Sequence, residues 1–149
     1  MKKIILLLLL TVATVAHSQN RDEKSKVERA CLNYLEGFYE GDTEKLKASL
    51  QPNMYKFGFF KARDAETYGK VDQMTFEQAL AFARNVKEKE KFPGPGAPKE
   101  VTIFEVGNTI ASAKVKAWWG IDYLLLSKQG DRWMIEQVLW EGPLQKPKM

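Results

Sequence analysis

Residues 99–141 constrain the fold more than any other stretch, because they carry four β-strand patterns separated only by short turns. Apolar and polar residues alternate there with the two-residue period of a strand, and β-branched and aromatic residues are frequent. The turns fall at Gly107-Asn108, at Trp118-Trp119-Gly120 and at Gln129-Gly130-Asp131. Links this short join antiparallel neighbours. The stretch therefore predicts a four-stranded antiparallel meander.

One side of the second predicted strand is small and apolar, which indicates the face that meets the helices. That side carries Ala111, Ala113, Val115 and Ala117. The other side of the strand carries polar and charged residues together with one isoleucine. We therefore expect the alanine side to pack against the helical half of the chain.

Three helices are predicted ahead of the meander. Apolar residues from 27 to 38 recur at spacings of three and four, which is typical of one buried helix stripe. Asp42 stands where the N-cap of a short second helix is expected, and Pro52 is expected to end that helix. A third helix is predicted to begin at Thr75, which forms a capping-box pattern with Gln78.

A further strand is predicted over residues 54–60, between the second and third helices. Tyr55, Phe57 and Phe59 share one side of it, and this aromatic side is expected to face the core. Residues 61–73 are charged and irregular, and we expect them to form a loop.

The first 18 residues have the pattern of a secretory signal. Lys2 and Lys3 precede an apolar run over residues 4–16, and Ala16-His17-Ser18 offers a small-x-small cleavage site. The run is shorter than the ~20 apolar residues that a spanning helix needs. An uncleaved anchor is the alternative. We expect export to the periplasm or the medium, with Gln19 as the first mature residue and no stable membrane insertion.

Cleavage would leave 149 − 18 = 131 residues, which is the size of one domain over residues 19–149. Basic residues would fall from 23 to 21 against 19 acidic residues, a net charge of +2, so no nucleic-acid partner is predicted. His17 is the only histidine and would also be lost, which excludes histidine-based triads and imidazole zinc sites. No metal or cofactor is predicted. Cys31 is expected to be a buried, inert thiol, with an intermolecular disulfide as the alternative.

Three motifs carry a resemblance to a known family. They are the helix end at residues 34–42 (YLEGFYEGD), the Ala-x-Ala-x-Val run at residues 111–115, and the strand-turn-strand pattern at residues 122–135. In this order the chain resembles the family labelled "putative lumazine-binding", in the nuclear transport factor 2-like (SnoaL-like) superfamily. The resemblance implies an α+β cone in which three N-terminal helices pack on a curved, mainly antiparallel sheet. The family label implies a pterin-type ligand.

The isomerase branch of this superfamily implies a carboxylate base and a tyrosine donor inside the cone. Tyr34 is the candidate donor, and a purely packing role is its alternative. Glu105 is the candidate carboxylate because it shares a side with Val101 and Ile103, although an exposed strand end is the favoured alternative. Asp122 is expected to cap the Trp-Trp turn.

Aromatic residues and one glutamine are expected to line a ligand pocket inside the cone. The predicted pocket residues are Tyr34, Phe38, Tyr55, Phe57, Trp119, Tyr123 and Gln137. Gln137 is placed inside because it shares the two-residue period of Trp133 and Leu139. Trp140, near the end of the sheet, is a candidate for an outward contact in a homodimer.

Three functional hypotheses follow from these patterns. The first is an exported domain that binds a small apolar or aromatic molecule in an aromatic-lined pocket. The second is a SnoaL-like or ketosteroid-isomerase-like enzyme that acts on a small apolar ring compound through Tyr34 with either Glu105 or an acid of the predicted loop, Asp64, Glu66 or Asp72. The third is a structural dimer with a filled core. Whether the protein is an enzyme is left open by the sequence.

Overall fold

The computed structural model describes the backbone of residues 2–144 and the side chains of residues 21–144. The elements, in chain order, are α1 (Lys2–Glu40), α2 (Thr43–Ser49), β1 (Leu50–Phe60), β2 (Gly69–Met74), α3 (Phe76–Glu88), β3 (Glu100–Val106), β4 (Ile110–Ala117), β5 (Gly120–Gln129) and β6 (Arg132–Gly142). The side chains of the predicted signal, including that of His17, lie outside the described residues. No helix in the described part of the chain is both long and apolar enough to span a membrane.

All six strands form one mixed sheet in the order β2-β1-β6-β5-β4-β3. The predicted meander is confirmed, because β3, β4, β5 and β6 pair antiparallel in succession. β1 joins the meander through a parallel pairing with β6, and β2 pairs antiparallel with β1. The fold is therefore α+β. The predicted set of three N-terminal helices is not confirmed as stated, because α3 lies between β2 and β3.

The core lies between α1 and the inner face of this sheet. On α1, the buried stripe includes Val27, Cys31, Tyr34 and Leu35, each with no exposed surface. The alanine side of β4 is buried against the helices as predicted, and its small side chains let α1 lie close to the strand. Each large aliphatic side chain buried here contributes about 1.5–3 kcal/mol to folding.

Local capping explains where α2 and α3 begin. The carboxylate of Asp42 accepts hydrogen bonds from the backbone N–H groups of Glu44 and Lys45, at 2.9 and 3.1 Å. Thr75 and Gln78 form the predicted capping box at the start of α3. Such caps satisfy helix N–H groups that have no partner within the helix, each contributing about 1 kcal/mol.

Two predicted boundaries change in the structure. β1 begins at Leu50, directly after α2, so Pro52 lies within the strand. Part of the predicted loop, Gly69–Met74, forms β2 at the edge of the sheet. None of its residues is fully buried, so the strand lacks the alternation of apolar and polar residues by which strands are recognised.

The predicted inner side of β1 is wrong. Met54, Lys56 and Gly58 are buried, whereas Tyr55 and Phe59 are 46% and 38% exposed on the outer side. Phe57 shares that outer side and stacks in a tilted geometry with Tyr55. Gly58 is required on the inner side because a Cβ there would lie 2.2 Å from the carbonyl oxygen of Trp140.

Two bulges reverse the predicted sides of β3 and β6. The register of β3 shifts between Ile103 and Glu105, which leaves Glu105 exposed. The register of β6 shifts around Glu136, so Gln137 and the residues beyond it change sides. A bulge inserts one extra residue and therefore inverts the two-residue period that follows it. Gln137 is consequently exposed rather than inside.

Candidate functional site

Four side chains from three distant segments form a buried polar cluster between α1 and the sheet. They are Tyr34 on α1, Lys56 on β1, and Trp119 and Asp122 at the start of β5. The Tyr34 hydroxyl donates to Oδ2 of Asp122 at 2.5 Å, and the Trp119 indole Nε1 donates to Oδ1 at 2.8 Å. Lys56 Nζ lies 2.7 Å from the Tyr34 hydroxyl oxygen and 3.3 Å from Oδ2 of Asp122. The carboxylate is completely buried and accepts a hydrogen bond at each of its two oxygens.

The alternation of β5 explains why Asp122 points inward. Gly120, Asp122, Leu124 and Leu126 are buried in succession along the strand, whereas Tyr123 and Leu125 are exposed. Asp122 therefore does not cap the backbone of the Trp-Trp turn, as was predicted; its partners are side chains. Among the described residues, the carboxylate is bound by side chains and not by the backbone of the turn.

Burial shifts the pKa values of two groups of the cluster, Lys56 and Tyr34. It lowers the pKa of Lys56, and the negative charge of Asp122 opposes that change only in part. Burial, reinforced by Asp122, raises the pKa of Tyr34 well above its usual value. Tyr34 therefore keeps its proton at neutral pH and holds it toward Asp122, while the Lys56 amine loses its proton more readily than a lysine in water.

A cavity of about 170 Å³ opens beside the polar cluster. It is lined by Phe38, Lys56, Met74, Phe82, Trp118, Trp119 and Trp140. Lys56 is the one charged residue of that lining, and its Nζ lies 5.9 Å from the centre of the Phe38 ring and 5.5 Å from that of Trp140. Phe82 and Trp118 are partly exposed and form the mouth. The cavity is thus an aromatic chamber with an amine at its floor.

The Trp-Trp turn is held in place from α1. Tyr39 accepts a hydrogen bond from the Trp118 backbone N–H at 2.9 Å and donates one to the Pro98 carbonyl at 2.5 Å. The Trp119 ring packs edge-on against Phe38 and Tyr39, with ring centres 5.6 and 5.8 Å apart. These contacts keep Trp119 between the cavity and Asp122. Trp119 is therefore part of both the cavity wall and the polar cluster.

The structure brings only some of the predicted site residues to this cavity. Phe38 and Trp119 line it, and Tyr34 lies in the polar cluster next to it. Tyr55, Phe57 and Tyr123 lie on the outer face of the sheet.

Glu105 and Gln137 instead lie in a separate groove on the outer face. Glu105 is exposed near a strand end, which was the favoured alternative for that residue. In that groove, the Ser127 hydroxyl is hydrogen-bonded to the Glu136 carboxylate. Glu105, the predicted carboxylate, and Asp122, the buried one, thus lie on opposite faces of the sheet.

The sequence reading missed several residues of the cavity and the cluster. They are Lys56, Met74, Phe82, Trp118, Asp122 and Trp140 as an inward residue. The expected outward position of Trp140 is wrong, because the β6 bulge turns it toward the core. One sequence signal was available: Gly58 on the side of Lys56 indicates close approach of a neighbouring group.

No group of three histidine, cysteine, aspartate or glutamate side chains within the described residues could hold a metal ion. Cys31 is buried, and burial raises the pKa of its thiol to about 12. The thiol is therefore protonated and unreactive at neutral pH. The chemistry available in this region is that of an amine, a phenol and a carboxylate.

Comparison with known proteins adds a family and a set of structures of similar fold. The sequence model of the family described as "Putative lumazine-binding" matches residues 22–141. No curated protein matches the chain.

Three solved structures of nuclear transport factor 2-like proteins of unknown function are similar in fold. The one from Silicibacter pomeroyi DSS-3 has a TM-score of 0.56 at 15% identity and covers 85% of this chain and 96% of its own. The one from Shewanella baltica OS155 has a TM-score of 0.55 at 18% identity, and the match covers 83% of this chain and 92% of that structure. The one from Methylobacillus flagellatus KT has a TM-score of 0.58 at 19% identity, and the match covers 80% of this chain and 91% of that structure. At such identities the likeness concerns the fold alone.

Proposed function

Because the chain belongs to the family described as "Putative lumazine-binding", with a nuclear transport factor 2-like fold, we propose that it binds a small planar ring compound in the aromatic cavity. The family description points to a fused-ring ligand of the pterin type. The cavity supports this class by its size, its lining and the amine at its floor.

The size of the cavity favours a ligand of one or two rings. An apolar cavity of roughly 150 Å³ accommodates a benzene molecule, whereas drug-sized ligands occupy roughly 300–1,000 Å³. The volume of about 170 Å³ therefore suits one ring inside, with a fused second ring reaching the mouth. Edges of Phe38 and Trp119 would contact the ring in the geometries that aromatic pairs prefer.

The observation that carries the proposal is the free donor of Lys56. A lysine ammonium has three N–H donors. Tyr34 and Asp122 accept from Nζ, and no third acceptor lies within hydrogen-bond distance among the described residues. Nζ lies close to the aromatic rings of the cavity wall. A carbonyl oxygen or ring nitrogen of a ligand would complete its hydrogen bonding.

Tryptophan fluorescence tests this binding directly, because Trp118, Trp119 and Trp140 line the cavity. We expect lumazine to change the emission of the purified protein in a saturable way. Lys56→Met removes the donor and should weaken binding about tenfold or more, the value of one hydrogen bond to a charged group.

Lys128→Met is the matched control, because Lys128 also contacts a carboxylate but does not line the cavity. It should leave the affinity unchanged. Absence of saturable binding by lumazine and by single-ring analogues would overturn the proposal, and so would an unchanged affinity of Lys56→Met.

The contact of Tyr34 with Asp122 favours a second candidate, a SnoaL-like or ketosteroid-isomerase-like enzyme that acts on a small apolar ring compound. A general base must come within hydrogen-bond reach of the proton that it removes. Asp122 would take the role predicted for Glu105, and a substrate in the cavity would have to displace Trp119 to reach its carboxylate. Solvent deuterium should then enter a cyclic ketone next to its carbonyl group, and Asp122→Asn should abolish the exchange. If the wild-type protein catalyses no exchange, the enzyme proposal fails and the binding proposal is unaffected.

We also propose a homodimer formed through the outer face of the sheet. Large apolar side chains are exposed there on several neighbouring strands, among them Tyr55, Tyr123, Leu125 and Leu139. Exposed apolar patches of this kind mark interaction sites. Leu125→Lys should convert a dimer to a monomer in size-exclusion chromatography with light scattering. Asn85→Lys, at an exposed position of α3, is the control, and a monomeric wild-type protein would refute the dimer.

Export remains a proposal that rests on the sequence of residues 1–18. The paired lysines, the apolar run and the small-x-small site support it. Intact-mass measurement of the protein from its native host should give a chain beginning at Gln19. A mass that includes Met1 would contradict export by signal cleavage.

A further inference from the structure

Lys56 contacts a carboxylate that is already bound by two other donors. Asp122 accepts from Tyr34 at one oxygen and from Trp119 at the other. Lys56 Nζ lies 3.3 Å from Oδ2 of Asp122, longer than the roughly 2.7–2.9 Å of a strong charge-assisted bond. Its shorter contact, at 2.7 Å, is with the Tyr34 hydroxyl. Asp122 therefore stays hydrogen-bonded whether or not Lys56 is charged.

The surroundings of Nζ ease the loss of its proton. The ammonium that donates to a ligand and the neutral amine that attacks a carbonyl group are two protonation states of this one group. Only 7% of the Lys56 side chain is exposed, and Phe38, Tyr34 and Trp140 place their rings within 6 Å of Nζ. Burial lowers the pKa of this amine. A lysine desolvated in an apolar pocket is a nucleophile, because its neutral form carries a free electron pair.

We propose that Lys56 forms a reversible imine with an aldehyde or ketone group of a ring compound held in the aromatic cavity. The inference rests on the proposed binding function and adds a covalent step at the cavity floor. The ligand class is thereby narrowed to planar rings that carry a reactive carbonyl group.

The step balances without any further reactant. The electron pair of Nζ attacks the carbonyl carbon, a C–N bond forms, and the carbonyl oxygen takes up the proton that nitrogen loses. The resulting carbinolamine expels its hydroxyl group with the second nitrogen proton as water. A C=N bond to Lys56 remains, and addition of water reverses the sequence.

The cavity supports this chemistry in two ways. Its lining is almost wholly apolar, which keeps the amine desolvated and therefore nucleophilic. Tyr34 acts as a positioning residue, because its hydroxyl holds Nζ at 2.7 Å and is itself fixed by Asp122. The amine is thus held at the floor, within 6 Å of the centres of the Phe38 and Trp140 rings of the cavity wall.

Reductive trapping tests the imine. Full-length protein is incubated at neutral pH with benzaldehyde at low molar ratio and sodium cyanoborohydride, and the labelled lysine is identified by peptide mass spectrometry. We expect one benzyl group, with occupancy at Lys56 at least tenfold above that at exposed lysines such as Lys116 and Lys47. Equal or lower labelling of Lys56 relative to these lysines would overturn the inference.

Two variants sharpen the result. Lys56→Arg keeps a cation but cannot form an imine, so the preferred label should disappear. Lys116→Arg changes an exposed lysine and should leave the label at Lys56 unchanged. Mapping in the wild-type protein decides the question by itself if Lys56→Arg does not fold.

Benzyl alcohol separates binding from bond formation, because it has the ring of the probe but no carbonyl group. Saturable fluorescence change by benzyl alcohol, together with no trapping of benzaldehyde at Lys56, overturns the imine and leaves the binding function standing. If neither probe changes the fluorescence and nothing is trapped at Lys56, the binding function fails and the imine fails with it.

Discussion

Glu23 and Asp122 are bound by the same kinds of partner in opposite surroundings. Each carboxylate accepts from an indole N–H at 2.8 Å and contacts a lysine. Glu23 contacts Lys128 at 2.8 Å and Lys26 at 3.4 Å, and its side chain is 17% exposed. Asp122 has no exposed surface, and its lysine is also buried.

The difference in burial gives the two clusters different roles. At Glu23, the lysines and the indole lower the carboxyl pKa to about 2, and solvent shares in stabilising every charge. Asp122 has no surface exposed to solvent, so Tyr34, Trp119 and Lys56 take the place of water as its donors. The surface cluster fastens α1 to the β5–β6 hairpin, whereas the buried cluster holds an amine beside the aromatic cavity.

The largest expected effect is the difference in stability loss when each of these two carboxylates is removed. Asp122→Ala leaves Tyr34, Trp119 and Lys56 without their common partner, and we expect a loss of about 3–5 kcal/mol in the free energy of unfolding. Glu23→Ala should cost about 1 kcal/mol, because water replaces the lost acceptor. Urea denaturation of both variants measures the difference.

Asp122→Asn separates shape from charge in the same experiment. The amide keeps an acceptor for Trp119 and should recover more than half of the loss seen with alanine. Equal stability losses for Asp122→Ala and Glu23→Ala would show that burial does not distinguish the two clusters.

A smaller effect is expected when one donor is removed from each carboxylate. Tyr34→Phe leaves Oδ2 of Asp122 with only the longer contact to Lys56, and we expect a loss of about 1–2 kcal/mol. Lys128→Met leaves Glu23 in contact with water and Lys26, so about 0–1 kcal/mol is expected. Chemical denaturation at neutral pH provides both values, and a larger loss for Lys128→Met would contradict the comparison.

Local patterns in the sequence predict the fold better than the site. The alternation of β4 has one interpretation, because small apolar residues on one side of a strand fit only against a close neighbour. The turns of the meander and the caps of α2 and α3 are likewise local, since each depends on residues within a few positions. These features were therefore predicted correctly.

The site was missed because it depends on distant pairs and on bulges. A lysine is rarely buried without a partner, so Lys56 was placed outside and the aromatic side of β1 inside. The partners that permit its burial, Tyr34 and Asp122, lie 22 and 66 residues away along the chain. The bulges that turn Glu105 and Gln137 outward are likewise set by strand pairing. Neither kind of information is contained in a two-residue period.

The smallest predicted effect is a pH-dependent difference in stability at the surface cluster around Glu23. The pKa of Glu23 is about 2 in the folded protein, against an ordinary value of 4.5. A lowered folded pKa means that the carboxylate stabilises the fold above pH 4.5 and loses this contribution as the pH falls through that value toward 2. Glu23→Gln cannot ionise and should be less stable than the wild-type protein at pH 7. The difference in urea midpoint should shrink between pH 5 and pH 2 and vanish at the acid end. A difference that stays constant over this range would show that the hydrogen bonds of Glu23, and not its charge, fasten α1 to the hairpin.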